Sequence, residues 1–364
     1  MNILGIESSC DETAAAIVED GKRLLANVVH SQIDIHAHYG GVVPEIAARS
    51  HIEAINPVIR QAFAQSGLSW DDIDAIAVTY APGLIGSLLV GTLAARTLAV
   101  LHDKPLYPIH HVEAHVYANF ITSQSDTMQA EKPLEFPAHQ PTFPMLALIV
   151  SGGHSQLVLF RNHGDYQLIG QTQDDAVGEA FDKVAKILGL PYPGGPSIDA
   201  AALRGDSYAY ELPKAKLDGK YDFSFSGLKT AVLRAVQREV GVDTNFPSHA
   251  LSERLTAKQR DDFAASFQRV AVETLVDKTE WAFQDFTPTS VVIAGGVAAC
   301  DRLRDELRAR LPIDIEYAPM RLCTDNAAMI ATLGHYYAQE RAPTDPFALE
   351  VQPSVSMTQT AWSR

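Results

Sequence analysis

The chain has 364 residues, of which 46% are hydrophobic and 20% are charged; this composition is typical of a globular protein and excludes a disordered or collagen-like chain. At roughly 150 residues per domain, the length predicts about two domains. The 29 basic and 44 acidic residues give a net charge of −15, so the chain as a whole repels nucleic acids and anionic membranes, and an RNA partner needs a local basic patch or a helper protein.

The cysteines and the apolar segments bear on the cellular compartment. Cys10, Cys300 and Cys323 form no CxxC pair, which argues against a disulfide framework or a thiolate zinc site and favours a reducing compartment. The N-terminus lacks the basic segment of a signal peptide. The most apolar stretch, Leu84 to Val100, is interrupted by Arg96 and falls short of the roughly 18 uninterrupted apolar residues of a membrane span. We therefore expect a cytoplasmic protein.

Changes in composition along the chain predict two lobes. Residues 1–120 alternate short apolar runs with helical patterns and form the expected N-terminal lobe, and a second such block over 145–336 forms the expected C-terminal lobe. Residues 121–144 are polar and contain prolines, as in a linker or insertion. The segment 337–364 is rich in Pro, Thr, Ser and Gln and predicts a frayed tail.

Both lobes begin with an apolar strand, a tip of small or polar residues, and a second apolar strand. This pattern covers residues 3–18 with its tip at 7–13 in the first lobe, and residues 145–160 with its tip at 151–154 in the second. Each pattern predicts a β-hairpin. Two unrelated hairpins would produce the same patterns. Alternatively, the lobes are duplicates whose tips face each other across a cleft and hold a phosphorylated ligand.

A glycine turn in the second lobe is a further candidate for phosphate binding. The apolar run 290–294 leads into Gly295 and Gly296, and a helical pattern follows over 301–310. Glycines between a strand and a helix allow backbone N–H groups to approach a nucleotide at the helix N-terminus. Because the spacing is not GxGxxG, the turn indicates a nucleotide site without identifying a Rossmann fold.

A pair of histidines suggests a metal site. His111 and His115 are four residues apart in a segment that can be helical, so both rings would project from one face. Glu113 lies about 200° around the helix from His111 and would point away from the metal, unlike the glutamate of the HExxH peptidase helix. Asp325 is the candidate third ligand. Two histidines that merely share a face, and Asp325 as a helix N-cap, remain the alternatives.

Eight motifs in consistent order resemble the TsaD family, the tRNA N6-adenosine threonylcarbamoyltransferases, which belong to the actin-like, sugar-kinase and heat-shock-protein ATPase superfamily. The resemblance covers about residues 1–335 and rests on motifs at 7–13, 110–115, 150–154, 178–183, 193–196, 223–229, 294–297 and 325–328. It implies an α/β fold of two duplicated actin-like, ribonuclease H-like lobes with a central nucleotide and metal cleft.

The resemblance also implies a set of site residues. His111, His115 and Asp325 would hold one divalent transition metal per subunit, iron or zinc. The site for threonylcarbamoyl-adenylate would be lined by Ile149, Val150, Ser151, Gly152, Gly153, Asp182, Gly195, Asp199 and Cys300. The family usually has asparagine at the position of Cys300. Because a thiol is a weak hydrogen-bond donor, this departure puts one nucleotide contact in doubt.

The implied reaction moves the threonylcarbamoyl group from threonylcarbamoyl-AMP to the N6 amine of adenosine 37, in tRNAs that read codons beginning with A, and releases AMP. Asp11, at the tip of the first hairpin, is the carboxylate that we expect to accept a proton or orient the amine; its alternative role is to close a turn. The implied partners are tRNA and the proteins TsaB and TsaE, with TsaB on the apolar helices of the first lobe. The candidate surface for tRNA phosphates comprises Lys214, Lys216, Lys220, Lys229, Arg234 and Arg238.

Three other functional classes stay open on the residues alone. A kinase or ATPase of the same superfamily would use both hairpin tips for ATP, without a transition metal at His111 and His115. A metallopeptidase is suggested by the histidine pair but lacks a well-placed general base. A non-catalytic scaffold is disfavoured, because the motifs at the metal and at both glycine turns are intact.

Overall fold

The computed structural model describes residues 1–126, 128 and 134–360. These residues form two compact units. The first unit comprises the described residues of 1–142, 162–166 and 316–364, and the second comprises residues 143–161 and 167–315. Each unit combines one β-sheet with helices.

The strands fall into two groups along the chain. Within the described residues they are β1 (Asn2–Glu7), β2 (Glu12–Glu19), β3 (Arg23–Ser31), β4 (Ala75–Ala81), β5 (Leu106–His110), β6 (Ser123–Gln124), β7 (Met145–Val150), β8 (Ser155–Asn162), β9 (Asp165–Gln171), β10 (Ser290–Ala294) and β11 (Ile315–Tyr317).

The α-helices lie between and after these strands. Within the described residues they are α1 (Ile33–Ala37), α2 (Pro44–Ser66), α3 (Ile85–Leu101), α4 (His111–Tyr117), α5 (Val177–Leu188), α6 (Gly194–Ala202), α7 (Ser226–Glu239), α8 (Ala257–Phe286), α9 (Asp301–Arg310), α10 (Met320–Cys323), α11 (Ala327–Glu340) and α12 (Met357–Thr360). None of the helices that the structure describes is long and apolar enough to cross a membrane.

The two sheets share an equivalent order of five strands, to which the first sheet adds β6. The first runs β5-β4-β1-β2-β3-β6 and the second runs β11-β10-β7-β8-β9. In the first sheet β1 pairs antiparallel with β2 and parallel with β4; in the second, β7 pairs antiparallel with β8 and parallel with β10. This is the ribonuclease H-like strand arrangement that the resemblance implied. The predicted duplicated α/β fold is therefore confirmed, and both predicted hairpins are present.

The central strands are buried along nearly their whole length. All six residues of β7 and five of the six residues of β1 are buried, which explains why both strands are almost continuously apolar. Helix α11 packs closely on β1 at Gly5. A Cβ atom at Gly5 would lie 2.7 Å from the backbone nitrogen of Ala331 and would also collide with the carbonyl oxygen of Ala327. The absence of a side chain at Gly5 therefore determines how near α11 lies to the sheet.

The expected lobe boundaries do not coincide with the two units. Residues from 316 onward belong to the first unit, because α11 packs on β1, β2 and β4. The expected linker 121–144 includes β6, which pairs with β3 in the first sheet; its residues 127 and 129–133 lie outside the described part of the chain.

The expected tail begins inside α11 and is not frayed over its described part. Leu349 is buried in the core of the first unit, where its burial removes apolar surface from water. The backbone N–H of Gln352 donates to the carbonyl oxygen of Tyr80 at 2.9 Å, and that of Gly83 donates to Pro353 at 3.1 Å. This segment therefore belongs to the folded first unit. Residues 361–364 lie outside the described residues.

Candidate metal centre and substrate-binding turns

The two candidate histidine ligands lie on α4, which begins directly after β5. His111 is the first residue of this helix and His115 lies about one turn later, so both rings project from one face, as the four-residue spacing predicts. Their ring centroids are 4.7 Å apart and the ring planes are inclined by 79°. This arrangement brings two imidazoles within reach of one ion.

The third candidate ligand, Asp325, precedes α11. Asn326 caps this helix, because its side-chain oxygen accepts a hydrogen bond from the N–H of Met329 at 3.1 Å. The alternative role of Asp325 as the N-cap is therefore wrong. Its Oδ1 instead lies 3.4 Å from His111 Nε2 and 3.3 Å from His115 Nε2.

These three side chains fit a transition-metal ion. One donor atom from each lies within 4.8 Å of the other two. His115 is buried, and within the described residues neither of its ring nitrogens makes a hydrogen bond of normal geometry. A buried polar atom without a partner is costly, and an ion would satisfy Nε2. Two imidazole nitrogens and one carboxylate oxygen suit zinc or iron(II).

Glu7, at the end of β1, holds the other nitrogen of the His111 ring. Its fully buried carboxylate accepts a hydrogen bond from His111 Nδ1 at 3.1 Å, and it also accepts from the Ser9 backbone N–H and the Thr79 hydroxyl. Such a carboxylate fixes the ring and leaves Nε2 available to a metal. This role of Glu7 was not predicted, because Glu7 is 104 residues from His111 in the sequence; the available signal was an acidic residue at the end of a buried strand.

The charges of His111, Glu7 and Asp325 shift one another's pKa values. Burial lowers the pKa of His111, but the negative charges of Asp325 and Glu7 outweigh burial and hold that pKa well above its usual value. Burial raises the pKa of both carboxyls, and the charge of His111 outweighs it, so both pKa values lie below their usual range. The two carboxylates therefore favour the protonated ring of His111 in the metal-free protein, and a metal ion would replace the proton on Nε2.

Replacing Glu7 by glutamine is expected to weaken metal binding about 10- to 100-fold, the usual effect of losing a carboxylate behind a histidine ligand. The amide is a weaker acceptor for His111 Nδ1, so the ring loses both its orientation and part of its basicity. Competition with a chelator measures the affinity. Glu53→Gln, at an exposed position on α2, is the matched control, and equal affinities for the two variants would contradict this role of Glu7.

Glu113 lies on the same helix but is turned away from the candidate metal centre. It is fully buried, and its Oε2 accepts hydrogen bonds from Tyr166 at 3.1 Å and Tyr337 at 3.0 Å. Burial raises the pKa of Glu113 to about 7. An acid held in this way does not occupy the position of the HExxH glutamate, which weakens the metallopeptidase alternative.

Asp11, the candidate proton acceptor, lies in the tip between β1 and β2 and is half-buried. The preceding carbonyl, that of Cys10, accepts a hydrogen bond from His51 Nε2 at 3.0 Å, which holds the backbone of the tip. Burial, together with the negative charges of Asp325 and Asp11, raises the pKa of Glu12 to about 10. Glu12 is therefore influenced both by Asp11 and by the candidate metal ligand Asp325.

The candidate substrate residues 149–153 combine a buried strand end with an open turn. Ile149 and Val150 are fully buried at the end of β7. The two glycines of the turn are exposed, and a Cβ atom on either would meet nothing within 4 Å. A Cβ atom at Gly295 would collide with the Val150 carbonyl oxygen, so the second glycine turn lies directly against the first. Exposed backbone groups of this kind suit an anionic ligand.

Helix α5 connects this turn to two further candidate residues. The N–H of Gly178, in its first turn, donates to the carbonyl oxygen of Ser151 at 3.2 Å. Asp182, farther along α5, accepts a hydrogen bond from the N–H of Gly194 at 2.6 Å and so ties α5 to the start of α6. The next residue, Gly195, leaves open space where a side chain would be.

Asp199 and Cys300 also lie together in the second unit. The Cys300 thiol is buried and donates to Asp199 Oδ1 at 3.6 Å, and the Gln268 amide donates to the same oxygen. Burial raises the pKa of Asp199. Cys300 therefore takes part in an internal polar cluster, although it is a poorer hydrogen-bonding group than asparagine.

The metal ligands and Asp11 thus belong to the first unit, and all nine candidate substrate residues belong to the second.

Comparison with known proteins agrees with the resemblance seen in the motifs. The model of the TsaD family, described as tRNA N6-adenosine threonylcarbamoyltransferase, matches residues 23–332. A curated protein of that description from Thermomicrobium roseum is 51% identical over 352 residues, covering 95% of this chain and 94% of the relative. A second, from Symbiobacterium thermophilum, is 51% identical and covers 92% and 91% of the two chains.

Solved structures of other proteins have a fold similar to that of this chain. HypF from T. kodakarensis superposes with a TM-score of 0.58 at 14% identity, covering 93% of this chain and 48% of HypF. Full-length HypF in a phosphate- and nucleotide-bound form gives a TM-score of 0.56 at 12% identity, covering 94% and 47%. At such identity the likeness concerns the fold alone, whereas the sequence relatives match over nearly their whole length. The chain belongs to the tRNA N6-adenosine threonylcarbamoyltransferase family.

Proposed function

We propose that this chain transfers the threonylcarbamoyl group of threonylcarbamoyl-AMP to the N6 amine of adenosine 37 in tRNAs that read codons beginning with A. Family membership supports the reaction class. The observation that carries the proposal is the convergence of His111, His115 and Asp325 on one point, with Glu7 behind His111. The tRNA substrate and the free cysteines favour the cytoplasm as the place of action.

The reaction joins a weak nucleophile to an activated carbonyl. The N6 nitrogen attacks the carbamoyl carbon, the bond from that carbon to the phosphate oxygen breaks, and AMP leaves with the bonding electron pair. His111, His115 and Asp325 would hold one divalent ion per subunit, iron or zinc, whose contribution when bound is that of a Lewis acid. The Ser151 N–H donates to the His154 carbonyl oxygen at 2.8 Å, so the N–H groups of Gly152 and Gly153 are the ones proposed to stabilise negative charge on the adenylate.

The amine proton goes to the carboxylate of Asp11 in this proposal. The proposal is supported by the hydrogen bond from His51 to the Cys10 carbonyl, which holds the backbone of the tip that carries Asp11. The proton leaves the nitrogen as the new carbon–nitrogen bond forms. A positioned base of this kind typically contributes about 10²- to 10⁴-fold to the rate.

The expected basic surface is largely neutralised by neighbouring acids. Lys214 pairs with Glu273 and Asp277, Lys220 pairs with Asp285, and Lys229 pairs with Asp175. Arg234 donates to Gln237 and to the Thr244 carbonyl. Among the described residues, exposed Lys216 and Arg238 have no ion-pair partner. We therefore propose that helper proteins, TsaB and TsaE, supply much of the affinity for tRNA.

Helix α3 offers the proposed face for TsaB. Ile85, Leu89 and Leu93 are 59%, 42% and 54% exposed and recur every four residues, so they form one apolar stripe along the helix. An exposed apolar stripe on a helix is typical of a protein interface. The stripe supports the proposal that apolar helices of the first lobe bind TsaB.

The test is transfer of labelled threonylcarbamoyl from threonylcarbamoyl-AMP to unmodified tRNA, with TsaB and TsaE present. We expect label in tRNA with adenosine 37 and none in the same tRNA with guanosine at that position, which lacks the N6 amine. Asp11→Asn is expected to lower the transfer rate about 10²- to 10⁴-fold, because an amide does not accept the proton.

Two results would contradict the proposal. One is the absence of labelled tRNA with folded, metal-loaded protein and both partners. The other is ATP turnover without tRNA together with no transfer, which would favour the phosphotransfer chemistry of the superfamily. An unchanged rate for Asp11→Asn would contradict only the role of that carboxylate.

A further inference from the structure

A buried acid lies between the two histidine ligands on α4, on the opposite face of the helix. Glu113 is fully buried, and its position lies about 200° around the helix from His111. Burial of a carboxyl group is costly unless the group is well hydrogen-bonded. An apolar residue would fill the same space at lower cost, so the contacts of Glu113 call for an explanation.

The carboxyl group of Glu113 joins α4 to two other parts of the first unit. Its Oε2 accepts a hydrogen bond from the Tyr337 hydroxyl of α11 at 3.0 Å. The same oxygen lies 3.1 Å from the hydroxyl of Tyr166, which also lies 2.9 Å from the carbonyl oxygen of Met357. The other oxygen, Oε1, has no hydrogen-bond partner among the described residues. Both contacts therefore depend on a single oxygen atom.

The bond to Tyr337 joins the two elements that carry the metal ligands. His111 and His115 belong to α4, and Asp325 directly precedes the capped start of α11. Tyr337 lies ten residues after Ala327, the first residue of α11, about 15 Å at 1.5 Å per helical residue. Because Tyr337 lies far along α11 from Asp325, its bond to Glu113 is a second connection that restricts rotation of α4 relative to α11. A single contact near Asp325 would leave that rotation free.

We infer that Glu113 is a positioning residue: by binding the Tyr337 hydroxyl it holds α4 against α11 at the spacing that brings His111 and His115 to Asp325. This inference rests on the proposed metal centre and assigns no proton transfer to Glu113. Donor atoms must remain within a few tenths of an ångström of their coordinating distances. A small rotation of the short helix α4 would move both histidines together.

The test compares two single-hydroxyl deletions. Tyr337→Phe removes the bond to Glu113. Tyr117→Phe, the matched control, removes another buried hydroxyl from α4 itself, one that contacts His163 Nδ1 at 3.1 Å. The probes are Co²⁺ and Zn²⁺ alone, and competition with a chelator measures the affinity for each ion. The visible absorption of bound Co²⁺ reports its coordination geometry. Thermal unfolding of the metal-free proteins reports their stability.

We expect Tyr337→Phe to bind both ions about tenfold more weakly, in the range known for residues that orient ligands, and to alter the Co²⁺ spectrum. Tyr117→Phe is expected to lose similar stability but to keep the affinity and the spectrum of the wild type. Glu113→Ala should resemble Tyr337→Phe. Glu113→Gln, which retains an oxygen acceptor for Tyr337, should bind more tightly than Glu113→Ala.

Wild-type affinity and spectrum in Tyr337→Phe would overturn the inference and leave the proposed reaction intact. Equal weakening in Tyr117→Phe would also overturn it, because any loss of packing on α4 would then suffice. A wild-type protein that binds neither ion would overturn the inference together with the proposed metal centre. None of these outcomes is judged by transfer activity, so failure of the inference can be distinguished from failure of the proposed function.

Discussion

Replacing Asp325 by alanine is expected to abolish metal binding and to reduce threonylcarbamoyl transfer at least about 100-fold. Asp325 is the only carboxylate of the described three-residue group, and its Oδ1 lies within 3.4 Å of both histidine Nε2 atoms. Without it two nitrogen ligands remain, which is fewer than the three protein ligands of typical catalytic sites. The measurements are metal content per chain after dialysis and the rate of label transfer to tRNA.

A matched control and a conservative variant make this prediction specific. Asp71→Ala removes an exposed aspartate of the same unit and should leave metal content and transfer unchanged. Asp325→Asn keeps an oxygen but not the charge that supports His111, so we expect it to bind metal more weakly than the wild type. A full complement of metal in Asp325→Ala would show that the three residues are not the ligand set.

Replacing Gly5 by alanine is expected to destabilise the protein by about 3 kcal/mol, the upper end of the usual cost of overpacking a core. The new methyl group would lie 2.7 Å from the backbone nitrogen of Ala331. Because backbone cannot rotate aside as a side chain can, α11 must move away from β1. Chemical denaturation of the metal-free protein measures the change in the free energy of unfolding.

The same displacement should reach the metal centre. Asp325 precedes the Asn326 cap of α11, so a shift of this helix moves one ligand away from the two on α4, and we expect weaker metal binding in Gly5→Ala. Gly227→Ala is the control, because a Cβ atom there meets nothing within 4 Å and alanine favours helices. Unchanged stability in Gly5→Ala would mean that the sheet can accept a methyl group at this contact.

The features that the sequence predicted correctly depend on neighbours along the chain. The hairpins at 3–18 and 145–160 follow from apolar runs separated by short polar tips, and the shared face of His111 and His115 follows from the pitch of the α-helix. The family resemblance rests on short motifs as well. Each of these patterns covers no more than about twenty residues, so the local geometry of the backbone determines how the residues within one pattern are arranged.

The errors and omissions concern residues that are far apart in sequence. The polar composition of 337–364 predicted a frayed end, but composition does not reveal that Leu349 fits the apolar core of the first unit. The basic residues from 214 to 238 were expected to face a polyanion, but helix α8 brings Glu273 and Asp277 to Lys214. Opposite charges so far apart in the chain meet only after the helices have packed.

By itself, the sequence determined the duplicated α/β pattern, the pair of histidines on one helical face, and the family. Only the tertiary structure decided that Asn326 caps α11 while Asp325 turns to the histidines, that Glu7 supports His111, and that Tyr337 reaches Glu113. The physical reason is the range of the forces involved. Local geometry follows from rotation about neighbouring bonds, whereas contacts between residues 104 or 224 positions apart form only when buried apolar surfaces bring strands and helices together.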